Sequence, residues 1–283
     1  MTMKKVILGA LLAITLAGCS SDDNNTFVNL ADLRRPISVE VSENPIQNTG
    51  TEARDNTRAS ITTTDNLNSF KMNYGEYDHY TVTKNQSGDW DLDPSYWPYG
   101  VEHSQNITFH AYNVGTFYAN GSNPYISVTM QENASDLNDV IVAERTTNLN
   151  ANSGKVYLTF DHACAAVDFT IRKTIDKTIV LKSATLQNVS KHGEYHYNSK
   201  TWTNVGTTVG TTTYYTLTNG DITLTKDKQA LPHNTYFFIP QTLASLRVEI
   251  TVDGVQKAGT ITLNKVLEAG KRYPIDIELG AGL

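Results

Sequence analysis

Cysteine is nearly missing from this chain: 283 residues contain two, Cys19 and Cys164. A framework of several disulfides is therefore excluded, and the chain must draw its stability from a packed core. Positive charge is also short. There are 23 Lys and Arg against 29 Asp and Glu, a formal charge of −6. No basic patch is visible, which argues against nucleic acid as a partner. Long apolar runs are absent beyond the first 20 residues, so nothing after that point reads as a membrane-spanning helix. No window shows a long amphipathic helical pattern.

Catalytic and cofactor motifs are lacking as well. There is no Gly-x-Ser-x-Gly elbow, no P-loop and no dinucleotide fingerprint. His162 follows Asp161 and His110 follows Phe109, but nothing orders a nucleophile, base and orienting acid around either. Asp89-Trp90-Asp91-Leu92-Asp93 has the spacing that opens a calcium loop. Its sixth position is Pro94 rather than Gly and its twelfth is Gly100 rather than Glu, so an Asp-rich turn is expected instead. His192 and His196 stand four apart beside Gly193, Tyr195 and Tyr197, a strand or turn context. In an extended strand they lie about 13 Å apart, too far for one zinc. No metal, no cofactor and no enzymatic activity are expected. Cys164, among Ala163, Ala165 and Ala166, reads as a buried small residue rather than a reactive thiol.

What is present begins at the N-terminus. Lys4 and Lys5 precede an apolar stretch of eleven residues, Val6 to Leu16, too short to span a bilayer. Leu16-Ala17-Gly18-Cys19 follows, with small residues that suit a lipoprotein signal peptidase. Residues 1–18 read as a lipoprotein signal peptide and Cys19 as the acylated residue. Each buried methylene contributes about 0.8 kcal/mol, so two or three chains hold a protein on a membrane durably. Losing residues 1–18 removes two lysines and no acid, leaving a charge of about −8 from 21 basic and 29 acidic residues.

Beyond residue 30 the pattern is β. Ile37, Val39 and Val41 alternate with Ser38, Glu40 and Ser42, a half-buried strand. Asn44 to Asp65 is polar, carries Arg54 and Arg58, and reads as a long loop. Alternation returns in Val156–Phe160, Val167–Ile171 and Leu246–Val252. In the last strand, Tyr273, Ile275, Ile277 and Leu279 share one face. Ser87-Gly88, Asn120-Gly121, Asn219-Gly220 and Asp253-Gly254 mark turns. Frequent short strands in this length predict an all-β fold of two β-sandwiches in series, with a small-residue joint near 161–166. The aromatic run Trp90, Tyr96, Trp97 and Tyr99 is the candidate ligand contact, with core packing as the alternative.

Asn56-Thr57-Arg58-Ala59, Leu67–Phe70, Tyr96-Trp97-Pro98, Ile107–Tyr112, Asp136–Ala143, Leu158–Ala163, Phe238–Leu243 and Leu267–Tyr273 follow one another in an order that covers most of residues 56–279. Together these segments resemble the fimbrillin (FimA/Mfa-like) family of surface pilins of Bacteroidetes. Ser20-Ser21-Asp22-Asp23, directly after Cys19, resembles the acidic surface-export signal of lipoproteins from the same bacteria. The resemblance implies two transthyretin-like sandwiches, 59–163 and 164–283, behind a segment 19–58 comprising tether, first strand and propeptide loop. It also implies a route. The lipidated precursor reaches the outer membrane surface through Cys19, and an Arg-specific protease cuts after Arg58, or secondarily Arg54. The first strand leaves, and a strand from another pilin subunit fills its groove.

Removing a strand exposes unpaired backbone groups and an apolar trough, both of which a donated strand restores. The last strand, Tyr273–Leu279, would have to serve as core and donor at once if this subunit polymerised as a stalk. That leaves room for a tip or accessory adhesin in the fimbrium. The reading from another class is a monomeric outer-surface lipoprotein that keeps its anchor and binds a glycan or other ligand.

Overall fold

Alternating burial organises the molecule. The computed structural model describes residues 37–49, 67–74, 80–93, 96–97, 104–130, 139–206, 214–233 and 235–280. Cys19, Arg54, Arg58 and Tyr99 lie outside the described residues, as do the signal peptide and the tether.

The strands in chain order are β1 (Ser38–Glu43), β2 (Gln47–Asn48), β3 (Ser69–Tyr74), β4 (Tyr80–Lys84), β5 (Trp90–Asp93), β6 (Ile107–Tyr112), β7 (Thr116–Tyr118), β8 (Tyr125–Thr129), β9 (Ile141–Thr147) and β10 (Lys155–His162). They continue with β11 (Ala165–Lys173), β12 (Ile179–Gln187), β13 (His192–His196), β14 (Thr201–Thr203), β15 (Tyr214–Thr223), β16 (Gln229–Ala230), β17 (Tyr236–Phe238), β18 (Thr242–Val252), β19 (Val255–Val266) and β20 (Lys271–Leu279). Among the described residues the helical content is one short 3₁₀ turn, Ala151–Gly154. The protein is all-β, as the alternation predicts.

Three cores result. The first lies inside a sheet that closes on itself in the order β1-β10-β9-β6-β3-β4-β5. Phe70, Met72, Phe109, Val156, Leu158 and Phe160 fill it. In β10 the residues Val156, Leu158 and Phe160 point inward while Lys155, Tyr157 and Thr159 point out, the period of two that a one-sided sheet demands. The second core lies between the sheet β16-β11-β20-β2 and the sheet β15-β12-β18-β19. β11 is buried on both faces through Ile171: Ala165, Val167, Phe169 and Ile171 face the second core, while Ala166 faces the third and Asp168 is held in a buried pair with Arg272.

The third core spans the joint. β10 ends at His162 and β11 begins at Ala165, with Ala163 and Cys164 buried between them. The sheet β14-β13-β8-β7 takes two strands from each side of that joint. It covers Tyr112, Val142, Cys164, Ala166 and Phe237. Trp202 Nε1 donates to Ala163 O at 2.7 Å and pins this sheet to the joint. Gly193 leaves the room: a Cβ there would meet the Trp202 ring at 2.9 Å.

Two expectations are corrected. Asn219-Gly220 is not a turn between strands; both residues lie inside β15, whose pairing with β12 is bulged at that level. The extra residue of a bulge asks for the same small, permissive side chains as a turn. Within the expected loop Asn44–Asp65, residues 47–48 form a strand on β20. The other signals hold their place: Gly88, Gly121, Asp253 and Gly254 all have positive φ.

Candidate functional site

The segment 37–49 is laid into the body as a strap. β1 pairs in parallel with β10 from Ser38↔Lys155 to Glu43↔Phe160, and with β5 at Val39↔Trp90, the pair that closes the sheet. Ile37 and Val39 are 4% and 5% exposed and belong to the first core. Val41 and Ile46 are half-buried against the first and third cores. Further along, β2 pairs in parallel with Lys271 and Arg272. Gln47 N donates to Gly270 O at 2.7 Å, and Thr49 donates to Arg272 O through its amide at 2.9 Å and its hydroxyl at 2.7 Å. Thirteen residues therefore touch all three cores or the strands that bound them.

The outward residues of the strap are polar and find partners on β10. Glu40 accepts from Lys155, whose pKa rises through that bond and charge. Ser42 shares a hydroxyl bond with Thr159 at 3.1 Å. Asn44 Nδ2 donates to Asp161 Oδ1 at 2.6 Å, and Lys200 Nζ donates to Asp161 Oδ2 at 3.1 Å.

Beside the strap lie two buried pairs of ionisable side chains. Arg272 donates from Nε to Asp168 Oδ2 at 2.8 Å and from Nη2 to Oδ1 at 3.2 Å. Thr235 accepts from Arg272 Nη2 at 3.2 Å and donates to Asp168 at 2.7 Å. The bidentate fork with a third partner is what a buried pair needs to offset its desolvation. At the joint, His162 Nδ1 bonds Asp139 Oδ2, both fully enclosed, while Asp139 Oδ1 has no partner among the described residues. Burial pushes the Asp139 carboxyl up. Burial works to lower the His162 pKa, but the bond and charge of Asp139 outweigh it and the ring holds its proton above the ordinary range.

The aromatic run does not form one platform. Trp97 is 6% exposed, lies edge-on to Phe109 at 5.6 Å and donates to Gly154 O at 3.4 Å. Its ring is committed to the core, which removes it as a ligand contact. Trp90 is half-buried, stands 5.1 Å from Phe70 with Lys84 Nζ 5.5 Å over its ring, and is the neighbour of Val39. It therefore borders the strap. Tyr96 is exposed, and its carbonyl accepts from Tyr74 at 3.3 Å. Cys164 is fully buried, which pushes its thiol pKa well up and leaves it without nucleophilic character. His192 and His196 sit on one extended strand, β13, with Thr129 and Thr203 as partners. Sequence reasoning missed Asn44, Asp139, Asp168 and Arg272. The contacts of Asn44 with Asp161 and of Asp168 with Arg272 span 117 and 104 residues, and no local pattern signals them.

A sequence model described as fimbrillin-like matches residues 46–283, and a model of the prokaryotic membrane lipoprotein attachment site matches residues 3–20, which include Cys19. No curated protein matches the chain. Among solved structures, a fimbrial protein from Bacteroides vulgatus is similar at 17% identity and TM-score 0.54, covering 87% of this chain and 95% of that one. A protein assigned to cell adhesion from Bacteroides uniformis is similar at 18% identity and TM-score 0.51, covering 76% and 87%. Another from Bacteroides ovatus gives 13% identity and TM-score 0.52 over 88% and 94%. At these identities the likeness is one of fold.

Proposed function

Because the chain belongs to the fimbrillin-like family, we propose that it is a fimbrial subunit, exported as a lipoprotein, whose N-terminal strap is a removable leader. Cys19 carries the lipid and brings the precursor to the outer membrane surface. An Arg-specific protease cuts after Arg58, or after Arg54. The leader leaves with its lipid, and a strand from another subunit enters beside β10.

The observation that carries this reading is the seating of β1. It supplies the closing pair of a sheet, buries Ile37 and Val39, and satisfies the β10 edge over six residue pairs. A vacated β1 site would present a ladder of backbone groups above alternate apolar pockets, the two elements of recognition by strand addition. β20, by contrast, is paired with β11 over eight residues and buries Tyr273, Ile275, Ile277 and Leu279. Donating it would open the second core, so in this reading β20 stays in place as core and the groove beside β10 is a receiving place, whether in a stalk, at a tip or in an accessory adhesin. Residues 59–163 and 164–283 are the two structural halves in this reading.

N-terminal sequencing of protein released from the cell surface, with and without an Arg-specific protease, tests it. A start at Ala59 only with the protease is expected. A start at Cys19 under both conditions defeats the leader.

A further inference from the structure

A polar groove of about 530 Å³ lies on the outer face of β9 and β10, roofed by the end of β13 and the turn after it. That volume falls within the span of small-molecule sites, about 300–1,000 Å³. Tyr157, 42% exposed as a residue, lines it. Asp161 lines it with both carboxylate oxygens already held in place by Asn44 and Lys200. Glu144 contributes a second carboxylate, one that makes no hydrogen bond or ion pair among the described residues. Tyr195, 4% exposed, also lines the groove, and its hydroxyl has no hydrogen-bond partner among the described residues.

The chemistry of these groups selects a ligand class. An exposed aromatic face takes the apolar C–H face of a pyranose ring. Oriented carboxylates accept from vicinal hydroxyls, and a phenol can donate or accept. Glu144 and Asp161 are acceptors only and balance the two cations of the lining, Arg145 and Lys200, the latter engaged by Asp161, so the groove has no net positive charge to draw a phosphate or other anion. Among the described residues no three His, Cys, Asp or Glu side chains come together as a metal site. Val142 and Ala143 supply too little apolar surface for a peptide side chain to anchor.

We infer that this groove is a site for an uncharged pyranose of a glycan, and that Asn44 makes its affinity depend on the strap. Asn44 is one wall and one of the two holders of Asp161. The dependence rests on the leader reading above: once the strap leaves, Asp161 loses a partner and the groove loses a side, until an incoming strand supplies them.

The test uses the full-length chain in detergent and a panel of methyl glycosides of glucose, galactose, mannose and N-acetylglucosamine. Saturation-transfer NMR detects binding and calorimetry measures it. At least one glycoside is expected to bind. Tyr195→Phe should weaken it about fivefold and Asp161→Asn about tenfold, the cost of a neutral and of a charged hydrogen bond. Val255→Ala, exposed at the start of β19 in the sheet β15-β12-β18-β19, should leave it unchanged. No binding by any glycoside, or affinities within about twofold in both groove variants, overturns the site. Asn44→Ala in the uncut chain, and the chain cut after Arg58, should each weaken binding. If Asn44→Ala weakens binding and the cut does not, the site stands and the departure of the leader is overturned. If neither weakens it, the dependence on the strap is overturned.

Discussion

Replacing Val39 by Asp should unseat the strap without cutting the chain. Val39 is 5% exposed and lies between Val156 and Trp90 across the two ladders. Burying Ile37 and Val39 contributes about 1.5–3 kcal/mol each, and half-buried Val41 adds a share, roughly 5 kcal/mol together. The backbone bonds of β1, about 0.5–1.5 kcal/mol net for each, are opposed by an ordering cost of about 1–2 kcal/mol per residue. The apolar contribution therefore sets the scale. Val39→Asp forfeits its own burial, about 2 kcal/mol, and places a carboxylate among apolar neighbours at a cost of several kcal/mol unless it leaves or protonates. The sum meets or exceeds what holds the strap. Hydrogen exchange should then show the β10 amides that face β1 losing protection, while amides of β18 and β12 keep theirs. Glu40→Ala, which removes an exposed ion pair with Lys155, should change nothing measurable. Equal protection of β10 in wild type and Val39→Asp would refute the reasoning.

Other outcomes follow from the buried charges. Arg272→Met leaves Asp168 and Thr235 enclosed without their cation and should cost about 3–5 kcal/mol in chemical denaturation; the double variant Arg272→Met with Asp168→Leu should recover much of it. His110 lies between Phe117 and Tyr197, and burial holds its pKa down to about 4. The folded state then binds fewer protons than the unfolded chain below the ordinary value of 6.5. Its share of stability is full above that value and is lost as pH falls toward about 4, roughly 2 kcal/mol by about pH 5. Denaturation midpoints of His110→Gln should fall less over that range. His162 works in the opposite sense. Its raised pKa contributes stability below the ordinary value that disappears as pH rises, so a His162→Gln variant should lose the most at the acidic end.

Much of this fold was legible because one-sided strands carry their own signature. β10 alternates residue by residue, β18 does so from Leu246 and β20 from Tyr273, and β1 does so in its first half. The signature fails where both faces are covered or where a partner decides. Alternation places Asp168 outside, yet the Arg272 fork brings it in. Two residues, Gln47 and Asn48, cannot show a period, and they are a strand only because β20 lies beside them. The aromatic run read as one surface because its members are close in sequence. Neighbours in sequence need not share a face, and Trp97 went to the core while Tyr96 stayed out. The groove at Asp161 had no local signal, since Asn44 and Lys200 reach it from opposite ends of the chain's course.

The parallel alignment of β1 with β10 carries a consequence for any fibre built on it. An incoming strand that takes over the same hydrogen-bond ladder must run in the same direction as β10. The contact is then heterologous, with the donor surface of one copy meeting a different surface of the next. A chain of such contacts has a head and a tail, every copy faces the same way, and its two ends expose different surfaces.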